Sequence, residues 1–325
     1  MTRYRPSQRF MPRLLRLAGD TIARRPRGNR VCIVNYHRIL EAADPLLVSD
    51  PDVATFRWQM KVLADCFNVL TLDAALAGLA SGKLPPRAVC ITFDDGYRST
   101  HDLALPILRQ FNLPATVFVA TGFVGEGNMW NDRILESVRI MKEQQLDLSE
   151  FGLGSFALDS VGAKLHSVER LTEGAKYLPP PGRQALIEHL DALAKIESHG
   201  LMVTDDMIRA LAAHGVEIGA HTISHPILTK LSDKDALYEM AESKRELEAI
   251  IKRPVRYFAY PNGKVGMDFD ERHVAMARQA GFAAAFTTAM GAARASDDLF
   301  ALPRSRPWDN SPPLFALRLL RWLAS

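Results

Sequence analysis

Two short segments of the chain place acidic and histidine side chains close together. Asp94 and Asp95 lie in TFDDGY (92–97), and His221 and His225 lie in HTISH (221–225), each directly after an apolar run. Two adjacent carboxylates repel each other unless a cation or hydrogen-bond donors offset the repulsion. Two histidines and one carboxylate form a metal-ligand set with open positions for water and substrate. The other carboxylate would then remain free to act as a base.

Each segment also has a purely structural interpretation. Asp-Gly after a strand is a common turn signal, and a single histidine is more often structural than a ligand. Pro226 disfavours helical geometry at His225, so we expect a compact loop in which the hydroxyls of Thr222 and Ser224 bond within the loop itself. The two segments together are far more specific than either one.

Alternating apolar runs and amphipathic segments predict the fold class. Strands are expected at 31–36, 88–93, 115–120, 216–220, 255–260 and 282–287, and helices at 55–67, 72–79, 100–111, 204–214, 232–251 and 271–280. This order favours an α/β fold with a distorted parallel (β/α) barrel, and an open doubly wound sheet is the alternative. Both acidic and histidine segments follow strands, at the face where parallel barrels place catalysis.

The domain organisation follows from composition. We expect one catalytic barrel over 31–310, interrupted at 130–200 by an insertion without strands that is partly helical at 183–198. An insertion of this kind usually lies over the functional face. An amphipathic C-terminal helix is expected at 311–325, and we favour its docking on the barrel.

Residues 1–30 form a basic amphipathic N-terminal arm. They carry nine arginines and one acid, a charge of +8, so the remaining residues sum to −5 because the whole chain carries +3. The mildly acidic body excludes a protein that follows nucleic-acid phosphates. For the arm, docking on the barrel and contact with anionic lipid or a partner both remain open, and we favour the second.

Three cysteines are too few for a disulfide framework and suit a reducing compartment. Neither a secretory signal nor a run of about 18 apolar residues is evident. We therefore expect a cytoplasmic protein, with peripheral contact at the inner membrane through the arm.

Four segments together resemble a known family. TFDDGY and HTISH match two signature motifs of the polysaccharide deacetylases, the nodulation-protein-B-like enzymes of carbohydrate esterase family 4. FAYPNG (258–263) resembles their third motif, in the form common among bacterial exopolysaccharide and poly-N-acetylglucosamine deacetylases. NYHR (35–38) resembles the first-strand motif of that subgroup. The resemblance covers roughly 31–129 and 203–307.

The resemblance implies a metal-dependent hydrolase that removes N-acetyl groups from an aminosugar polymer or glycan. Asp95, His221 and His225 would hold a divalent ion, zinc before cobalt, nickel or manganese, and Asp94 would be the general base. The metal would activate water, and together with a backbone N–H near Asn262 it would stabilise the oxyanion.

Two departures from the family pattern concern catalysis. Ala259 occupies the position where many members have an arginine that orients the base, and Arg256, Arg304 and Arg306 are the candidate substitutes. The Leu-x-His motif that supplies the general acid in many members is also not evident. His37, at the end of the first strand, is our candidate acid, and a structural histidine is the alternative.

Substrate contacts are predicted from residue type. Large aromatic residues provide flat apolar surfaces for sugar rings, although they are as often packing residues. The candidates for sugar or oxyanion contact are Tyr97, Trp130, Tyr260, Pro261, Asn262, Gly263 and Trp308.

Two other functions would be compatible with these motifs. One is a metal-dependent amidohydrolase acting on a small non-sugar amide, which a capped pocket would favour over a long groove. The other is a catalytically degenerate, membrane-associated scaffold for polysaccharide assembly. The intact Asp94, Asp95, His221 and His225 argue against the scaffold, because binding alone does not require a free base.

Overall fold

The computed structural model describes residues 29–125, 127–195, 200–306 and 309–325. Most of the predicted basic arm, the end of the helix expected at 183–198, and Trp308 lie outside these residues. In the described part of the chain, every helix is too short or too polar to span a bilayer.

A curled, mainly parallel sheet forms the centre of the molecule, as predicted. Its strands are β1 (Arg30–Tyr36), β2 (Asn68–Val69), β3 (Ala88–Phe93), β4 (Thr116–Val119), β7 (Glu217–Ala220), β8 (Tyr257–Ala259), β9 (Ala284–Phe286) and β10 (Ala293–Arg294), while β5 (Gln145–Asp147) and β6 (Ser155–Ala157) form a separate hairpin. The strand order in the sheet is β10-β1-β3-β4-β7-β8-β9, with β2 paired to β3 and with β10 antiparallel to β1.

Most of the helices pack around the sheet, and three of them belong to the insertion. The helices are α1 (Val53–Cys66), α2 (Leu72–Ser81), α3 (Leu105–Phe111), α4 (Trp130–Ile140), α5 (Val161–Lys176), α6 (Pro180–Ala194), α7 (Asp205–Ala213), α8 (Asp233–Ile251), α9 (Glu271–Gln279) and α10 (Pro312–Ala324). One turn of π-helix, Thr100–Ala104, precedes α3, so the helix expected at 100–111 is only partly regular.

The central strands are buried on both faces. Strands β1 and β3 pair in parallel from Val31↔Ala88 to Tyr36↔Phe93, and every residue of both strands is buried. Helices cover one face, and the other face lines the interior of the barrel. Continuous apolar sequence is what such strands require, which is why they were predictable.

An irregular segment completes the barrel after β9. Leu302 pairs with Phe286 of β9, and three residues later Ser305 pairs with β1. The hydrogen bonds of this segment therefore connect the two ends of the parallel sheet. Arg304 lies between these two contacts with its side chain fully buried, so closure of the barrel brings this guanidinium into the interior.

The insertion has its own apolar core and is more regular than predicted. Helices α4, α5 and α6 pack together around buried leucines, isoleucines and valines. The expectation that 130–200 contains no strand was wrong, because β5 and β6 form a short antiparallel hairpin. Each of these strands has three residues and one buried side chain, Leu146 or Phe156, which is too short for a recognisable alternating pattern.

Helix α10 packs against the outside of the barrel. Phe315 and Leu319 are fully buried, and the Phe315 ring meets Trp58 of α1 edge to face at 5.7 Å. The Cys32 thiol in β1 donates to the Leu319 carbonyl. The cysteines at 32, 66 and 90 are all buried.

A glycine in β7 permits close packing beside the site, and its replacement tests this packing. A Cβ at Gly219 would lie 2.6 Å from Cε1 of Phe118 and 3.1 Å from the Tyr257 carbonyl oxygen. We expect Gly219→Ala to lower the free energy of unfolding by about 1–3 kcal/mol because the core is overpacked. Urea denaturation measures this change.

Gly162 in α5 is the matched control for this substitution. A Cβ there meets nothing within 4 Å, so Gly162→Ala should stabilise the protein by about 0.5–1 kcal/mol. Equal effects of the two substitutions would contradict the described packing at β7.

Candidate active site

Asp94 and Asp95 follow β3 and are nearly completely buried, with 2% and 4% exposed. Asp95 has a φ of 74° and Gly96 a φ of 87°, so the chain turns sharply at the end of the strand. Only glycine fits at position 96, since a Cβ there would lie 2.9 Å from Val119. The turn allows the two adjacent carboxylates to meet different partners.

Asp94 forms a bidentate ion pair with Arg304. The two guanidinium nitrogens of Arg304 donate to the two carboxylate oxygens at 2.6 and 2.7 Å. The amide of Asn35 donates to the same carboxylate at 2.9 Å, and Arg304 is itself anchored to the Thr287 carbonyl oxygen at 3.1 Å. Burial raises the pKa of Asp94, but the Arg304 charge and its hydrogen bonds lower the pKa below the ordinary value, so this carboxylate is ionised.

Asp95 faces the two histidines instead. Its Oδ1 lies 3.4 Å from Nε2 of His221 and 3.5 Å from Nε2 of His225. The three ligand atoms lie within 4.8 Å of one another, and all three residues are buried. The predicted convergence of these side chains is therefore present in the structure.

Backbone contacts orient the ring of His221. Its Nδ1 lies 2.7 Å from the Ala259 carbonyl oxygen at the end of β8. A carbonyl oxygen only accepts hydrogen bonds, so Nδ1 carries a proton, and in the neutral imidazole Nε2 presents a lone pair towards Asp95. Metal-binding histidines are oriented in this way in proteins.

The donor set fits a divalent cation. Among the described residues, Oδ1 of Asp95 and Nδ1 of His225 are buried without a hydrogen-bond partner. A buried polar atom left without a partner is destabilising, and Oδ1 is the atom closest to both Nε2 atoms. A cation held by two imidazoles and one carboxylate would satisfy this oxygen, and that donor set suits zinc and similar ions.

The protonation states are compatible with ligand roles. Burial lowers the pKa of His225 to about 3, so its imidazole is neutral. Burial also lowers the pKa of His221, but Asp94 and Asp95 outweigh this effect and raise it above its ordinary value. A proton therefore competes with a cation for His221, and cation affinity should fall as the pH decreases.

The histidine loop is held from inside and from outside. Thr222 has a φ of 66° and His225 a φ of 51°, and the Thr222 hydroxyl accepts a hydrogen bond from the His225 N–H at 3.2 Å, as predicted. The prediction for Ser224 was wrong. Its hydroxyl and N–H both donate to Glu239 of α8, which also accepts from the Ile223 N–H. A carboxylate can accept several hydrogen bonds, so Glu239 replaces the hydrogen bond that was expected between Ser224 and the rest of the loop.

His37 lies beside the cluster of Asp95, His221 and His225. It lines the same cavity as Asp95, and its Nδ1 is buried without a partner among the described residues. Burial lowers the pKa of His37 below its ordinary value, although the carboxylates of Asp95, Asp94 and Asp50 oppose this effect. The structure thus brings His37 to the site, and its role as an acid stays a prediction.

Of the three candidate arginines, only Arg304 contacts Asp94. Arg256 pairs with Asp73 and Glu217. Arg306 pairs with Asp50 beside His37.

The predicted aromatic and oxyanion residues have different outcomes. Tyr97 lines the site cavity, and its hydroxyl donates to Asp132 at 3.0 Å. The prediction for Tyr260 as a sugar surface was wrong, because its ring is fully buried and stacks on Phe269 at 3.8 Å. The prediction that Trp130 provides a sugar surface was also wrong, since this residue is only 7% exposed and its ring lies beneath the guanidinium of Arg183.

The Pro261–Asn262–Gly263 turn follows β8, next to the strand that carries His221. Asn262 has a φ of 60°, and its Nδ2 is buried without a partner among the described residues. Gly263 has a φ of 72°, and a Cβ there would lie 2.8 Å from the Thr288 nitrogen. Position 263 therefore requires glycine.

Several side chains at the site were not identified from the sequence. Asn35 donates a hydrogen bond to Asp94, which is 59 positions away in the sequence. Glu239 accepts hydrogen bonds from the histidine loop, 15 and 16 positions away. No local sequence pattern indicates such contacts. Asp132, from α4 of the insertion, accepts from Tyr97 and Arg38. Burial raises the pKa of Asp132 to about 7. The expectation that the insertion lies over the functional face could have directed attention to it.

The site opens into a cavity of about 200 Å³ formed by both barrel and insertion. Its lining includes His37, Asp50 and Asp95 from the barrel and Asp132 and Thr172 from the insertion. Asp95 and His37 line this cavity, while the ionised Asp94 adjoins Asp95 in the chain and the two histidines contact it. Such an arrangement can activate water and transfer protons to and from a bound substrate.

Comparisons with known proteins agree with this geometry. The family model for polysaccharide deacetylases matches residues 81–285. The poly-beta-1,6-N-acetyl-D-glucosamine N-deacetylase of Staphylococcus epidermidis is 26% identical over 253 residues, which cover 69% of this chain and 83% of that protein. Among solved structures, the deacetylase PplD from Streptococcus pyogenes has a TM-score of 0.60 at 20% identity, covering 89% of this chain and 98% of that one. IcaB from Ammonifex degensii has a TM-score of 0.60 at 19% identity, covering 92% and 99%. The structural likeness shows the fold.

Replacement of Arg304 tests the buried ion pair. Arg304→Met leaves the buried Asp94 carboxylate without its counter-charge, so we expect the free energy of unfolding to fall by about 3–5 kcal/mol at neutral pH. Arg304→Lys keeps the charge without the bidentate geometry and should lose less. Urea denaturation of the metal-free protein measures both changes.

Arg256→Met is the matched control, because Arg256 is 40% exposed and its ion pairs lie at the surface. It should change the stability by about 0–1 kcal/mol. The penalty of Arg304→Met should also shrink as the pH falls, since the ion pair exists only while Asp94 is ionised. An equal loss in the free energy of unfolding for Arg256→Met and Arg304→Met would contradict the assignment of a buried ion pair between Asp94 and Arg304.

Proposed function

Because the chain belongs to the polysaccharide deacetylase family, we propose that it hydrolyses the N-acetyl groups of a poly-N-acetylglucosamine chain with the help of one divalent cation. It is a polysaccharide N-deacetylase, a hydrolase of carbon–nitrogen bonds other than peptide bonds. The Staphylococcus epidermidis relative is named for poly-beta-1,6-N-acetyl-D-glucosamine, which supports this choice of polymer. The observation that carries the proposal is the buried triad of Asp95, His221 and His225 beside the ionised Asp94.

Asp95, His221 and His225 would hold the cation, for which zinc is the first candidate. When bound, such an ion lowers the pKa of water towards about 7 and polarises a carbonyl group. The orientation of His221 by the Ala259 carbonyl and the low pKa of His225 support their role as neutral ligands.

Asp94 is the general base in this proposal. Its carboxylate is ionised and held by Arg304 and Asn35, so its position is fixed before substrate binds. Asp94 takes a proton from the water whose oxygen adds to the acetyl carbonyl carbon. Fixed orientation of this kind contributes to catalysis because no reorganisation is needed during the reaction.

The remaining steps use the Asn262 turn and His37. The backbone N–H of Asn262 has no acceptor among the described residues, and it is available to donate to the developing oxyanion. When the bond between carbonyl carbon and nitrogen breaks, His37 in its protonated form donates a proton to the leaving amine, and acetate is the other product. The position of His37 in the cavity beside Asp95 supports this role.

The proposal is tested by acetate release from β-1,6-linked N-acetylglucosamine oligomers. We expect a chelator to abolish release and added Zn²⁺ to restore it. Asp94→Asn should keep its bound metal but lose about 10²–10⁴-fold in rate, because the base is removed. Metal content is measured on the same sample.

Asp159→Asn, at an exposed position of the insertion, is the matched control and should leave the rate unchanged. Undiminished acetate release by metal-stripped protein would contradict the mechanism, and a wild-type rate for Asp94→Asn would remove Asp94 from the role of base.

The role of His37 is tested with two leaving groups. His37→Ala should slow release of acetate from the amide by about 10²-fold or more, because the amine must be protonated to leave. Hydrolysis of p-nitrophenyl acetate should change far less, since its phenolate leaves without a proton.

His214→Ala, at an exposed position after α7, is the control and should affect neither substrate. Equal losses on both substrates, or loss of bound metal in His37→Ala, would return His37 to a structural role.

A further inference from the structure

A second, larger cavity lies next to the site cavity. It has a volume of about 570 Å³ and lies between the segment 43–52, the start of α1 and the residues Arg306, Asp309 and Asn310. The two cavities share part of their lining, including His37, Asp50 and Arg306. A ligand in the larger cavity would therefore lie directly beside the catalytic groups.

Besides Nδ1 of His37, two buried polar atoms at this cavity lack partners among the described residues. The hydroxyl of Tyr36 and Oε1 of Gln59 have no hydrogen-bond partner among the described residues, and both residues are 3% exposed. The Tyr36 ring is fixed by Phe56 and Phe93, with centroids at 5.3 and 5.6 Å. Unpaired buried polar atoms are destabilising, so their retention at one cavity indicates a ligand that bonds to them.

The charged groups of the cavity are already paired. Asp50 pairs with Arg306, Asp44 pairs with Arg139, and Asp309 pairs with Arg318. The remaining acid, Asp52, caps the N-terminus of α1 by accepting from a backbone N–H. Because these charges are compensated, the cavity favours a neutral ligand.

The rest of the lining is mainly apolar. Pro45, Leu47, Val48 and Pro51 provide its walls. A pyranose ring combines apolar C–H faces with hydroxyl groups at its edge, which matches apolar walls and two buried hydrogen-bonding atoms. An aliphatic chain would leave Tyr36 and Gln59 unpaired.

We propose that this cavity binds the neutral sugar ring next to the residue that is deacetylated. The inference rests on the proposed function, because that function places the reacting sugar beside His37 and Asp95. Tyr36 and Gln59 are then specificity-determining residues for an oligosaccharide over a single N-acetylsugar.

Binding measurements separate this site from the reaction. The metal-loaded full chain carrying Asp94→Asn is titrated by calorimetry with N-acetylglucosamine and with its β-1,6-linked tetramer. Ala43→Trp, at an exposed position on the cavity wall, should raise the Kd of the tetramer at least 10-fold and leave that of the monosaccharide within 2-fold. Ala80→Trp, exposed on α2 and outside both cavities, is the matched control and should change neither.

Tyr36→Phe removes only the hydroxyl and keeps the ring packing. It should raise the Kd of the tetramer about 5-fold, the effect of one lost hydrogen bond, without lowering the melting temperature of the free protein. A lower melting temperature would assign the hydroxyl a structural partner and overturn its role in binding.

Three results for Ala43→Trp overturn the proposal. The Kd of the tetramer is unchanged, or the Kd values of the tetramer and the monosaccharide rise equally. The third is a rise confined to the Kd of an N-butanoyl monosaccharide. The last result would assign the cavity to an acyl chain. If the wild-type protein releases no acetate while Ala43→Trp still selectively weakens binding of the tetramer, the hydrolysis proposal fails and the proposal of the sugar site is retained.

Discussion

The site depends on keeping two adjacent buried carboxylates ionised without allowing them to share one partner. Their mutual repulsion in a buried environment would otherwise force one of them to take up a proton. The structure resolves this by giving Asp94 the bidentate Arg304 and turning Asp95 towards His221 and His225. The two acids therefore have different environments, one suited to proton transfer and the other to binding a cation.

The fold supplies these two environments from opposite sides. The histidine loop follows β7, which neighbours β8, and the end of β8 fixes His221 through the Ala259 carbonyl. Arg304 comes from the segment that bonds to both β9 and β1, so it reaches Asp94 only when the barrel is closed. The contacts that close the barrel therefore also position the carboxylate of Asp94.

The sequence predicted the parts of the structure that depend on local pattern. Apolar runs predicted the strands. Asp94, Asp95, His221 and His225 all follow strand ends, and they were predicted to lie on a common face because parallel strands end at the same edge. Contacts over long sequence separation were not predictable. Arg304 is 210 positions from Asp94, and nothing local separates it from Arg256 or Arg306. Tyr260 was assigned to the wrong environment because an aromatic residue after a strand has the same sequence signature whether it faces a groove or the core.

In the proposed site a single cation binds to Asp95, His221 and His225 while Asp94 stays paired with Arg304. Anomalous diffraction from a crystal grown with Zn²⁺ tests it most directly. We expect one strong peak at about 2.0–2.2 Å from one oxygen of Asp95 and from Nε2 of both histidines, with the Asp94–Arg304 pair unchanged. A peak elsewhere, or one in which Asp94 leaves Arg304 to bind the metal, would contradict the account.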